Sequence, residues 1–168
     1  SFPELKGQDV RCIAEDKNGH IWFGTKDGVW MYDGIIWQSF GKAEGLDGQP
    51  VVAISVSDRG TIYAATIRGI FTLQTTTWHR VFPDQDNLPW YINDMVVEPD
   101  ENIWVGSVWG LVHLHKNTTT LYTLNKVKQD FEIQFPNLQY VIVPNDTILT
   151  HTTSYQGLGI QRINTTIS

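Results

Sequence analysis

The chain has 168 residues, a net charge of -6, 41% hydrophobic residues and seven Trp. That apolar and aromatic content excludes a disordered chain and suits a packed β protein. The acidic balance has no Lys/Arg cluster, which argues against nucleic acid as a partner, and no apolar run nears the roughly 18 residues of a membrane-spanning helix.

Residues 1–9 read as the end of a connection. Residues 10–15 form an apolar-rich run with β-branched side chains, the first predicted strand. Asp16-Lys17-Asn18-Gly19 follows, and Asn-Gly supplies the positive φ angles of a hairpin turn. Residues 20–25 carry Ile, Trp, Phe and Thr, a second strand. Lys26-Asp27-Gly28 is a second turn, 29–33 a third strand and 36–40 a fourth. The Gly-rich stretch 41–50 crosses to a second copy at 51–82, and 83–91 crosses to a third at 92–124. A longer connection, 125–137, leads to a degenerate fourth unit at 138–164, with its first strand at 138–143.

The copies keep a spacing of 41 residues. It separates Ile21, Ile62 and Ile103, and again Gly28, Gly69 and Gly110. Four antiparallel strands in about 40 residues is the blade of a β-propeller. Cys12, Ala53 and Asp94 share one face of the first strands, and Ile13, Ile54 and Met95 the other. Two largely apolar faces fit a blade pressed between neighbours, where a one-sided sheet would alternate more cleanly. The expected fold is all-β: a β-propeller segment of four-stranded antiparallel blades at about 10–40, 51–82, 92–124 and 138–164, part of a larger propeller.

The repeat resembles the two-component regulator propeller repeat. The first blade carries that pattern as Glu15-Asp16-Lys17-Asn18-Gly19-His20-Ile21-Trp22-Phe23-Gly24-Thr25, then Gly28-Val29-Trp30-Met31-Tyr32. The third keeps Ile103-Trp104-Val105-Gly106-Ser107 and Gly110-Leu111, and Ala43-Glu44-Gly45-Leu46 resembles the family's Glu-Asp-Gly-Leu before a blade. The second departs at Tyr63-Ala64-Ala65-Thr66. The resemblance implies a periplasmic or otherwise extracytoplasmic sensor region of a bacterial signalling protein.

Candidate chemistry is sparse. Cys12 alone excludes an internal disulfide and reads as a small buried hydrophobe. Asn117, Asn145 and Asn164 open glycosylation patterns of a kind that Thr-rich chains produce by chance. Asp16, Asp58 and Asp100 read as turn formers. His113 and His115, two apart on a strand, share a face as metal ligands can, but no third partner is evident. Asp94 stands on an innermost strand where its counterparts are Cys12 and Ala53, and reads either as a channel-side ligand contact or as a group accepting from free backbone N–H at the strand start. If the first strand of each blade is innermost, the second turns and the blade-to-blade loops meet on one face. Lys26, Asp27, Arg68, Trp90, Tyr91 and Trp109 then form a polar and aromatic rim suited to a sugar, another small molecule or a peptide. The competing reading of that rim has Trp90 and Trp109 plugging gaps between blades.

No catalytic residue, metal or cofactor is expected. The chain reads first as a ligand-sensing or interaction module whose partners are such a ligand and other blades or a second protomer. A lactonase- or lyase-type propeller enzyme working at the central channel is the second reading, and a scaffold for self-assembly the third.

Overall fold

The structure is a computed structural model and describes residues 3–83, 90–115, 118–123 and 139–142. Its first sheet has the strands β1 (Val10–Glu15), β2 (Ile21–Thr25), β3 (Val29–Tyr32) and β4 (Trp37–Phe40). The second has β5 (Val51–Val56), β6 (Ile62–Thr66), β7 (Ile70–Gln74) and β8 (Thr77–Phe82). The third has β9 (Ile92–Val97), β10 (Ile103–Ser107), β11 (Gly110–His115) and β12 (Thr118–Thr123). Within each set, consecutive strands pair antiparallel in chain order. The first strands β1, β5 and β9 lie side by side, so the sheets stack as propeller blades around their innermost strands.

Each inner hairpin has its register shift at the same place. The shift falls between Val10 and Cys12 on β1, between Val51 and Ala53 on β5, and opposite the step from Asp94 to Ile92 on β9. Arg11, Val52 and Asn93 are the extra residues, again 41 apart. A bulge of this kind bends a strand and sharpens its twist. Here it marks one end of every inner strand.

Alternation along the strands creates two faces per blade. The face turned to the following blade carries Trp22 and Gly24 in the first sheet, Tyr63 and Ala65 in the second, and Trp104 and Gly106 in the third. The face turned to the preceding blade carries Ile13 and Phe23, then Ile54 and Ala64, then Met95 and Val105. Two cores result. Trp22, Val29 and Phe40 pack against Ile62, Ala64, Phe71 and Trp78 between the first two sheets. Ala53, Tyr63, Ile70 and Phe82 pack against Ile92, Met95, Val105 and Val112 between the second and third. Every residue of β6 is buried, because the middle blade has a neighbour on both sides.

Close approach explains two glycines. A Cβ at Gly24 would collide with Cys12 Sγ and stand 2.7 Å from Val51 Cγ1, so only glycine lets the first two blades meet there. Gly45 ends a short 3-10 turn at φ 101°, and a Cβ on it would collide with the Trp78 carbonyl oxygen. The next residue, Leu46, is buried in the first core, which accounts for Gly45-Leu46 at the entrance to a blade.

Only a short part of the expected fourth unit is described. Most of 138–164 lies outside the described residues. The part within them, β13 (Gln139–Ile142), runs parallel to β12 as a fifth strand of the third sheet. The sequence reading places these residues on the innermost strand of a new blade. The backbone groups on the open edge of β12 provide a ready pairing site for a nearby β-branched segment.

Trp78 closes the first core, with its ring 6.4 Å from Trp22 and 6.0 Å from Phe40. Trp78→Ala is expected to lower the unfolding free energy by about 3–5 kcal/mol in urea titrations. Exposed Thr76→Ala should change it by less than about 0.5 kcal/mol.

Candidate functional site

At one end of the blades, the second turns are built alike. Thr25 Oγ1 donates to the Gly28 carbonyl (3.0 Å) and accepts from the Asp27 amide (3.2 Å). Thr66 Oγ1 accepts from the Arg68 amide (3.2 Å) and the Gly69 amide (3.0 Å). Ser107 Oγ donates to the Gly110 carbonyl (3.0 Å) and accepts from the Trp109 amide (3.2 Å). A hydroxyl 41 residues apart therefore holds each turn in the same shape. The residues at the tips, Lys26-Asp27, Ile67-Arg68 and Val108-Trp109, are presented at equivalent places. The turns are also tied to the connections beside them. The Lys26 amide donates to the Asp9 carbonyl (3.1 Å), the Ile67 amide to Pro50 (3.2 Å), and the Ile92 amide to Ile67 (3.1 Å).

Lys26, Asp27 and Arg68 are exposed at those tips. Tyr91 is 47% exposed and stands at φ 47° where the chain enters β9. Trp109 is half-buried and packs against the second core. Trp90 is not part of the rim. It is 1% exposed, inside the second core, with its ring 4.8 Å from Phe82. The gap between the second and third sheets takes an indole, and burying that much apolar surface outweighs display on a loop. Asp94 is exposed on β9 opposite Gly106, and its Oδ1 accepts from the Met95 amide (2.8 Å). Five of the seven expected site residues thus stand on the turn-and-loop end of the blades, Trp90 lies inside the core, and Asp94 stands apart on the inner strand.

A polar anchor beneath that face escaped the sequence reading. Asp47, in the first crossing loop, accepts from Thr66 Oγ1 (2.9 Å) and pairs with Arg80 at 3.7 Å. The Arg80 guanidinium lies 5.0 Å over the Phe71 ring. This chain of contacts ties the loop to the second blade. Its one signal in the sequence is an Asp inside a Gly-rich crossing.

The opposite end holds the first turns. Asp16 Oδ1 accepts from the amides of Asn18 (2.8 Å) and His20 (3.1 Å). Its Oδ2 accepts from Trp22 Nε1 (3.0 Å) and meets His20 Nδ1 at 3.0 Å. Burial works to raise the pKa of Asp16, but those hydrogen bonds outweigh it and hold the carboxyl below its ordinary value. In the second blade the equivalent residue is Ser57, whose Oγ accepts from the Arg59 and Thr61 amides and donates to Glu101 (3.1 Å). Thr61 and Arg59 reach the same Glu101 at 2.8 and 3.1 Å, and Lys17 reaches the Asp58 carbonyl. Each first turn therefore leans on the next. The turn-forming position is Asp16 and then Ser57, with Asp58 contributing its carbonyl; Asp100 accepts from the Asn102 amide (3.4 Å) and side chain (2.7 Å).

His113 stacks on Trp104 at 3.9 Å, with Glu98 3.9 Å from its Nε2. Burial lowers its pKa, which keeps it neutral near pH 7. Its ring lies 6.0 Å from that of His115. Among the described residues, no group of three or more His, Cys, Asp or Glu is placed to hold a metal ion. Cys12 is half-buried against the first core rather than fully enclosed, and burial pushes its thiol up to about 11.

Residues 4–27 match the two component regulator propeller family. The match covers the Asp16-to-Trp22 network and the Gly24-Thr25 step described above. No curated protein matches the sequence. Among solved structures, the chain is similar to virginiamycin B lyase of Staphylococcus aureus with quinupristin (13% identity, TM-score 0.60, 71% of this chain and 43% of the lyase). It is similar to the extracellular domain of BT3049 of B. thetaiotaomicron, described as a hybrid two component system (18% identity, TM-score 0.55, 95% of this chain and 19% of that one). It is also similar to the WD40 β-propeller domain of Doa1 (21% identity, TM-score 0.51, 62% of this chain and 35% of that one). These likenesses show the propeller fold. The chain spans less than half the length of each of these structures.

Two measurements follow from the ionisable groups. The Asp16 carboxyl has a lower pKa in the fold than in the unfolded chain, so it stabilises above the unfolded value near 3.8 and loses that contribution as acid protonates it. Asp16→Asn should therefore be less stable than the parent at pH 6, with the gap narrowing toward pH 3, as read by urea midpoints. The raised thiol pKa leaves little Cys12 thiolate at pH 8. Iodoacetamide should label it at least about tenfold more slowly in the folded protein than in urea.

Proposed function

We propose that this chain is a ligand-sensing or interaction module in the extracytoplasmic part of a bacterial signal-transduction protein of the two component type. The observation that carries the reading is the combination of that family's repeat at residues 4–27 with three equivalent, hydroxyl-braced turns that display different side chains on one face. Rigid turns on a stacked β scaffold suit recognition, because the contact groups are ordered before the ligand arrives. Lys26, Asp27 and Arg68 offer charge, and Tyr91 and Trp109 offer flat apolar area. That pairing fits a carbohydrate, another small molecule or a peptide. Binding there would alter the packing between blades or protomers and so bias an output domain outside these residues.

The test is a thermal-shift screen with short oligosaccharides and short peptides. A true ligand at 100 times its Kd stabilises the fold by about 2.7 kcal/mol. The shift should shrink in Arg68→Ala and Trp109→Ala and persist in Lys17→Ala, on the opposite face. Hits that ignore all three substitutions would remove the turn face from the proposal.

The fold likeness to virginiamycin B lyase favours a second reading, a lyase. Asp94, exposed on the innermost strand β9, is its candidate residue. Incubation with quinupristin followed by mass spectrometry separates the two: conversion of quinupristin, lost in Asp94→Asn, would favour the lyase.

A further inference from the structure

The first turns of the three blades share one backbone frame. The Asp16 amide donates to the His20 carbonyl (3.0 Å), the Ser57 amide to Thr61 (2.9 Å) and the Glu98 amide to Asn102 (2.8 Å). A second bond closes each turn, from the Gly19 amide to Asp16 (3.0 Å), from Gly60 to Ser57 (2.9 Å) and from Glu101 to Glu98 (2.9 Å). Gly19, Gly60 and Glu101 therefore occupy one structural position at the 41-residue spacing. All three are left-handed, at φ 80°, 86° and 67°. Glycine takes that conformation without steric cost, whereas a Cβ disfavours it. The third blade nevertheless has a glutamate there. Such a backbone persists where surrounding contacts hold it in place.

Those contacts come from the second blade. Glu101 Oε1 accepts from Ser57 Oγ (3.1 Å) and Thr61 Oγ1 (2.8 Å), and Oε2 accepts from Arg59 Nη1 (3.1 Å). The second blade lacks a carboxylate of its own at this place. In the first blade, Asp16 accepts from the turn amides and from Trp22 Nε1. Ser57 stands at the Asp16 position and accepts from its turn amides in the same way, but its hydroxyl also needs an acceptor. Glu101 is that acceptor. Its charge is also felt at Tyr63, the counterpart of Trp22: burial first, and then Glu101, hold the phenol above its ordinary pKa. A carboxylate that the first blade supplies from its own turn thus reaches the second blade from the turn of the third.

We propose that Glu101 is a strained clasp between the second and third blades, its backbone held left-handed by the bonds of its side chain to Ser57, Arg59 and Thr61, so that the two turns open and close together. Release of the carboxylate removes what keeps the third turn in its frame. Opening of the third turn withdraws the acceptor from the second. Local opening becomes one event shared by two blades. The clasp stands at the end opposite the displayed turns and needs no ligand there.

Amide hydrogen exchange of the full chain, read residue by residue by NMR, tests this with the Glu98 amide as reporter. Arg59→Ala combined with Thr61→Val removes two of the three donors and should speed exchange at Glu98 at least about fivefold, while Val105 in the core keeps its protection. Arg59→Ala alone, at a side chain 71% exposed, should give a smaller change in the same direction with the fold intact. Glu101→Gly should leave Glu98 protected, because glycine holds the turn unaided, and in that background the Arg59 and Thr61 substitutions should have no further effect. Exchange at Glu98 that ignores the loss of both donors overturns the proposal, since the turn then stands without the clasp. So does an equal acceleration in the Glu101→Gly background, because the support would then not act through the glutamate. A Glu98 amide already fast in Glu101→Gly alone shows that the turn needs the contacts for some reason other than its backbone, and also overturns it.

Discussion

The Trp22 indole is fixed from two directions, and the order of the first two blades depends on it. Asp16 holds Nε1 with a charge-assisted hydrogen bond of 3.0 Å. Phe40 stacks on the ring at 5.9 Å and Trp78 meets it edge-on at 6.4 Å. A large aromatic side chain set in place by a turn carboxylate gives the neighbouring sheet a rigid surface. The small residue two positions on, Gly24, then lets Val51 of the next inner strand come close. A bulky side chain beside a near-absent one sets both the spacing and the angle of the blades. The second interface varies the same arrangement, with Tyr63 beside Ala65 and Trp90 filling the remaining volume.

The constraint decides what each end of the propeller can do. With the sheet faces committed to packing, polar and functional groups are left with the turns and crossings. At the first-turn end, those groups serve one another: Ser57, Arg59 and Thr61 converge on Glu101 across the blade boundary. At the second-turn end, a single hydroxyl satisfies the turn internally and leaves the tip residues for solvent or a ligand. The two ends are built from the same strands, and one is closed by its own contacts while the other displays.

Much of this was legible in the residues. The 41-residue spacing, the Asn18-Gly19 turn and the alternation of Cys12 and Ile13 led directly to stacked four-stranded sheets. The expected faces of the inner strands are the faces observed. The site was legible only in outline. Lys26, Asp27, Arg68 and Tyr91 stand on the turn-and-loop end, but Trp90 next to them is core, because loop sequence does not report the volume left between two sheets. Asp47 went unnoticed since its partners, Thr66 and Arg80, come from strands 19 and 33 residues away. The strand Gln139–Ile142 was expected as a strand, and its pairing partner was not.

What the sequence determined by itself is local and periodic: where the strands and turns lie, which side chains share a face, and that one blade follows another. Those features depend on backbone geometry and on a repeat that each copy carries within itself. What only the tertiary structure decided is which face meets which partner, how Trp90 and Trp109 are divided between core and rim, and where β13 pairs. Those outcomes depend on space between sheets and on open edges, and both exist only after the blades have been set side by side.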